Sequence, residues 1–244
     1  MKKIIVVIVF AFLIIGTHGY NFQYHRLPND NTVEIKKIDL SELLQKSGSV
    51  NVIRISSGQM SYKVANKNHR DYDLYINAKY FTIDNIPVGE VKINGENIIR
   101  KNSGGAFFTS NGKTPKFYFN NRPNSVSYSS QTHTPIIING TPNTKIFNRT
   151  WAKHKLPRLV IGENEKGDIF VIHTTGRTGC TVSEFYEISK SQGLTNALMF
   201  DGGASIEVGL KYKNTSYHYQ IVSDIERKIG KVPTPSVFIV GSFN

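Results

Sequence analysis

The sequence predicts an α+β fold, a single domain built on a mixed, hairpin-rich β-sheet with few helices. Three observations predict it. Asn-Gly pairs recur between alternating apolar runs, at Asn94-Gly95, Asn111-Gly112 and Asn139-Gly140, and Asn-Gly supplies the positive φ angles that a two-residue hairpin needs. Only one segment carries a full set of helix signals. Apolar residues make up 39% of the 244 residues and aromatics 11%, enough to bury a core and to argue against disorder.

The chain opens on "MKKIIVVIVFAFLIIGTHGY". Lys2 and Lys3 form a basic start, residues 4–15 an apolar run too short for a comfortable membrane span, and Thr17-His18-Gly19 a permissive cleavage site. Residues 1–19 therefore read as a secretory signal peptide, with an uncleaved N-terminal anchor as the alternative. Cleavage leaves a secreted, periplasmic or cell-surface protein with no stable membrane span. The remaining residues, 20–244, read as one domain.

Within it, "LSELLQKSG" at residues 40–48 suits a short helix, or a strand end followed by a turn. "LYIN" is a strand that ends on Asn77. Hairpins follow at the three Asn-Gly pairs, and "LVIGENEKGDIFVIHTT" places two β-rich runs around Lys166-Gly167. "TVSEFYEISKSQG" is the clear helix. Thr181 is its N-cap, Glu184 completes a capping box, Phe185 and Ile188 share a face, and Gly193 stops it. That helix joins strands at 169–173 and 197–200, which would be parallel neighbours if they share a sheet. "PTPSVFIVGSF" reads as a buried C-terminal strand.

The formal charge is +12; Lys2 and Lys3 account for two of it, leaving +10 after cleavage. A basic secreted protein suits anionic partners. The basic residues are scattered and form no nucleic-acid motif, so nucleic acid is discounted as a partner. Cys180 is the only cysteine, which excludes an intrachain disulfide and any zinc site needing two cysteines of this chain. No metal-ligand spacing is present, and no cofactor is called for.

Three segments carry candidate chemistry. In "ALMFDGGASIEV" an apolar run ends on Asp201, with Gly202, Gly203, Ala204 and Ser205 behind it. The segment is either an Asp-Gly hairpin turn or a carboxylate at a strand end beside backbone that a ligand can approach, and the two readings are compatible. In "LYINAKYF", Asn77 either closes a turn or orients a substrate oxygen. In "KLPRLVIG", Arg158 opens a strand with a fork suited to phosphate, and Arg177 lies in the loop before the capped helix, whose N-terminus favours anions. By default each arginine is a surface residue.

In this order and spacing the segments resemble the phosphodiester glycosidase family, the family of the uncovering enzyme. The resemblance is strongest over residues 74–244. "INAKYF" resembles its Asn-Gly-Gly-Tyr-Phe segment, "PVGEVKINGENI" the hairpin after it, and "SSQTHTPIIINGT" a Gln-Ser-Gly-Pro segment that begins a strand. "LPRLVIG" resembles its Pro-Arg-Thr-Ala-Ile-Gly block, and "MFDGGAS" its Asp-Gly-Gly-Gly-Ser hallmark. Lys79, His133 and Ala204 stand where the family tends to have glycine, and Leu159-Val160 where it has Thr-Ala.

The resemblance implies a hydrolase that cleaves the glycosidic bond of a sugar-1-phosphodiester, of the N-acetylglucosamine-1-phosphodiester kind. It implies Asp201, Arg158, Asn77 and His133 as catalytic residues, and Gly202, Gly203, Ser205, Gln131 and Arg177 as substrate contacts. The partner is then a phosphorylated glycan or sugar phosphodiester. The alternative is a binding module that holds such a glycan without turnover. A further alternative pairs Cys180 with His173 in a thiol enzyme, since a capped helix N-terminus can lower a thiol pKa.

Overall fold

A computed structural model describes residues 30–66, 68–78, 88–100, 104–176, 178–221 and 237–244. In chain order the described strands are β1 (Val33–Asp39), β2 (Ser49–Ile55), β3 (Met60–Ala65), β4 (Leu74–Asn77), β5 (Val91–Ile93) and β6 (Glu96–Ile99). Next come β7 (Ala106–Ser110), β8 (Lys116–Phe119), β9 (Tyr128–Thr132), β10 (Pro135–Ile138), β11 (Thr141–Pro142) and β12 (Leu159–Asn164). The last are β13 (Ile169–Thr174), β14 (Leu194–Phe200), β15 (Glu207–Tyr212), β16 (Thr215–Gln220) and β17 (Phe238–Phe243). The helices are α1 (Leu40–Leu44), α2 (Thr144–Phe147) and α3 (Val182–Ser191).

The strands form three sheets. The largest runs β1-β2-β13-β12-β14-β10-β11, the second β16-β15-β4-β17-β3, and the third β6-β5-β9-β7-β8. Among the described residues every strand pairing is antiparallel, which corrects the expected mixed sheet. β13 and β14 do run parallel to each other, but β12 lies between them and pairs with both. The hairpin through Lys166-Gly167 inserts β12 into the gap, so the expected neighbours are one strand apart.

Local turn chemistry sets the hairpins. Asn94 and Gly95 both take positive φ, 52° and 86°, between β5 and β6, and Asn139 and Gly140 do the same, 49° and 77°, between β10 and β11. The capping box of α3 forms as its residues dictate. Thr181 Oγ1 accepts from the Glu184 N–H at 3.1 Å, and Glu184 Oε2 accepts from the Thr181 N–H at 2.7 Å. Gly193 takes φ 75° just past the helix. Residues 40–44 are helical, capped by the Asp39 carboxylate.

The central strands are apolar on both faces because both faces are buried. Leu159, Ile161, Leu198 and Phe200 face a core shared by all three sheets. Val160, Ala197 and Met199 face a second core covered by the helices, with Leu40, Phe185 and Ile188. Each fully buried aliphatic side chain contributes about 1.5–3 kcal/mol, so these two cores hold β12 and β14 between them. Polar ties then join the sheets. Thr132 Oγ1, at the end of β9, donates to the Met199 carbonyl at 2.7 Å. Ser130 Oγ donates to the Ala78 carbonyl, just past β4, at 3.0 Å.

Candidate active site

The C-terminal ends of β4, β9 and β14 meet where the three sheets meet. β14 lies between β12 and β10 and runs antiparallel to both. Its C-terminal end therefore lies beside the starts of those two strands. Asp201 follows β14, Arg158 immediately precedes β12, and His133 and Thr134 precede β10. The sheet order alone brings the chain positions of Asp201, Arg158 and His133 to one end of these strands.

The 201–205 segment is not a hairpin turn. β14 belongs to the first sheet and β15 to the second, and the two do not pair. The segment is a crossover between sheets, and its glycines have separate reasons. A side chain on Gly202 would collide with the Pro157 carbonyl. Gly203 takes φ 63°, a left-handed conformation, and nothing lies within 4 Å of where its Cβ would stand. The Gly203 N–H donates to the Pro157 carbonyl at 2.9 Å. Open space therefore meets the backbone at Gly203, although its N–H is engaged within the chain.

Asp201 carries the main electrostatic feature. Burial pushes its carboxyl up to about 6 from 3.8, against hydrogen bonds from Ser205 and the Gly202 N–H that favour the charged form. Ser205 Oγ lies 2.5 Å from Asp201 Oδ2 and 2.7 Å from the Gly202 carbonyl. The carboxyl is thus fixed in direction and poised to change charge near neutrality.

Asn77 is fully buried, and both ends of its amide serve the segment. Its Nδ2 donates to the Asp201 carbonyl at 3.1 Å, and its Oδ1 accepts from the Glu207 N–H at 3.0 Å. Gln131 is also buried. Its Oε1 accepts from the Glu90 N–H at 2.9 Å and its Nε2 donates to the Gly104 carbonyl at 2.6 Å. Both amides therefore bind backbone and set loop positions. Arg158 is 7% exposed. Its Nε donates to the Cys180 carbonyl at 2.9 Å, and one terminal nitrogen donates to the carbonyls of His154 at 2.8 Å and Trp151 at 3.4 Å. It also lines a cleft of about 330 Å³ with His133, Thr134, Val88 and Trp151. Arg177 and Lys79 lie outside the described residues.

Sequence reasoning missed Trp151 and the Arg122–Glu90 pair. Arg122 grips the Glu90 carboxylate with two bonds of 2.6 Å, both side chains nearly buried, and so fixes the loop that Gln131 also holds. A lone tryptophan within the basic stretch "NRTWAKHKLPR" was the available signal for the first. Nothing local marks the second, whose partners are distant in sequence.

Cys180 and His173 do not form a nucleophile pair. Cys180 packs in the helix-side core and burial pushes its thiol up to about 11. His173 is buried among Tyr217 and Tyr219, and burial pulls it down to about 4. Cys180→Ser is expected to keep any turnover and to cost about 1–3 kcal/mol for burying a hydroxyl. Thermal melts beside activity assays check this, and loss of turnover in a folded variant would restore a thiol mechanism. Among the described residues no group of three or more His, Cys, Asp or Glu could hold a metal ion.

A model of the phosphodiester glycosidase family matches residues 70–233. The chain belongs to the phosphodiester glycosidase family. The match spans the Asn77, Arg158 and Asp201 segments together. Among solved structures, the chain resembles the pro-peptide-auto-inhibited catalytic domain of zebrafish N-acetylglucosamine-1-phosphodiester alpha-N-acetylglucosaminidase. The TM-score is 0.62 at 14% identity, covering 93% of this chain and 89% of that one. It also resembles a hypothetical protein from Synechocystis, with a TM-score of 0.59 at 13% identity, covering 93% of this chain and 68% of that one. At these identities the likeness is one of fold. A sequence search of curated proteins gave no match. For a family member, the departures of this chain fall in different places, with Leu159 and Val160 in the two cores. Ala204 sits in the crossover and His133 on the wall of the cleft.

Proposed function

We propose that this chain hydrolyses the glycosidic bond of a sugar-1-phosphodiester of the N-acetylglucosamine-1-phosphodiester kind. The observation that carries this reading is the half-buried Asp201 carboxyl at the end of β14, beside the strand starts that carry Arg158 and His133, in a chain of the phosphodiester glycosidase family. A phosphomonoester is a good leaving group, so the main demands are to stabilise an oxocarbenium-like sugar and to deliver water. Ionised Asp201 faces the developing positive charge and takes a proton from the attacking water. The water oxygen bonds to the anomeric carbon as the bond from that carbon to the bridging oxygen breaks. The phosphomonoester leaves with the electron pair.

In this scheme Arg158 and His133 bind the phosphate side. Ser205 and the Gly202 N–H aim the carboxylate, and Asn77 and Gln131 hold the loops that carry the site. Open space at Gly203 suits close approach of the substrate. Arg177 is a further candidate for the anion. Residues 1–19 support export of the domain at 20–244, and no described helix is long and apolar enough to cross a membrane.

The test is a panel of sugar-1-phosphodiesters, with released phosphomonoester as the readout and calorimetry in parallel. Turnover of the N-acetylglucosamine compound is the expected result. Binding without turnover would make the protein a glycan-binding module, and neither binding nor turnover would remove both readings.

A further inference from the structure

Trp151 is the sole tryptophan of the chain and is 42% exposed, one of four large apolar side chains left open to solvent among the described residues. Its mounting is rigid. It lies on a one-turn helix, Thr150–Lys153, whose next residue, Ala152, is buried in the helix-side core. The Trp151 and His154 carbonyls both accept from the Arg158 guanidinium. Trp151 lines the roughly 330 Å³ cleft together with Arg158, His133, Thr134 and Val88. A ligand that covered the indole would remove apolar surface from water and gain stability from it.

We propose that Trp151 is a stacking platform for the pyranose ring of the substrate. This rests on the reading above, because Arg158 then holds the phosphate that the ring carries. A pyranose has a face of C–H groups and a rim of hydroxyls. The C–H face covers the indole while the rim stays in water or meets the polar groups of the cleft. A phosphate alone offers no such face. The substrate contact is therefore bipartite, with a charge-assisted contact at Arg158 and an apolar one at Trp151, held at a fixed separation by the bonds between them.

Because there is one tryptophan, its emission reports this contact directly. The probes are N-acetylglucosamine 1-phosphate and its methyl diester, with inorganic phosphate and dimethyl phosphate as ring-free controls. The two sugar esters should shift the emission saturably, and the controls should not. Trp151→Ala should weaken binding of the sugar esters roughly three- to tenfold by calorimetry, the range for aromatic stacking. Trp151→Phe should recover most of that loss, and kcat/KM should fall in proportion to affinity. An equal emission shift from phosphate alone would overturn the platform. So would sugar-ester binding by a folded Trp151→Ala variant within about twofold of the parent. Binding through Trp151 without hydrolysis would support the platform and reject the hydrolase. Hydrolysis indifferent to Trp151 would do the reverse.

Discussion

Asp201→Asn is expected to abolish most turnover and, at the same time, to make the protein harder to unfold at pH 7.5. Both effects come from one half-buried carboxyl. Its pKa in the fold is about 6, against 3.8 for the free side chain. The folded state therefore binds this proton more tightly than the unfolded chain does. Below about pH 3.8 both forms are protonated and no cost arises. Stability falls as the pH rises through the window from 3.8 to 6. Above it the cost is full, on the order of 3 kcal/mol for a shift of this size. Asparagine has the shape and no charge. It can still accept from Ser205, so the variant should melt roughly 5–10 °C higher at pH 7.5 and nearly unchanged at pH 4. Turnover should drop by about a hundredfold or more, because the charge is needed as the sugar becomes cationic. In the parent, kcat/KM should rise through about pH 6 and then level off. Melting curves at two pH values and a pH–rate profile check this. A variant that melts lower at pH 7.5 would show that the carboxylate supports the fold.

Sequence alone revealed the features that residues settle with near neighbours. Asn94-Gly95 and Asn139-Gly140 turn the chain because asparagine and glycine accept positive φ, and Thr181 and Glu184 cap α3 across three residues. It did not reveal which strands lie side by side. β12 separates β13 from β14 because a hairpin places it there, and residues 201–205 cross between sheets because β15 pairs with the distant β4. The candidate site divides in the same way. Asp201 and Arg158 are visible as residue types at strand ends. The partners of the Asn77 and Gln131 amides are not, since the Asp201 carbonyl, the Glu207 N–H and the Gly104 carbonyl are brought to them only by the sheets. Trp151 looks like a surface residue until Arg158 braces its backbone.

Arg158 is expected to act as a clamp and as a phosphate contact, and three variants separate the roles. The guanidinium binds carbonyls from two stretches of chain, Cys180 before α3 and Trp151 and His154 on the turn beside it. Hydrogen bonds from a charged donor contribute about 1.5–3 kcal/mol each, and the two to Trp151 and His154 are only partly buried, so those carbonyls regain some water. Arg158→Ala should therefore lose about 2–4 kcal/mol and melt roughly 5–10 °C lower. Arg158→Lys places one compact charge on a flexible stem, which can reach one carbonyl cluster or the other, so stability should return in part. Arg158→Gln keeps donors without charge. Binding must be compared well below each melting point, using N-acetylglucosamine 1-phosphate methyl diester and the neutral methyl glycoside of the same sugar. Loosening the clamp lets Trp151 shift, which weakens both ligands alike. Losing a phosphate contact weakens only the charged one. The expected pattern is an added loss for the diester in Ala and Gln, largely recovered in Lys. An unchanged melting point in Arg158→Ala would refute the clamp, and equal losses for the two ligands would refute the phosphate contact.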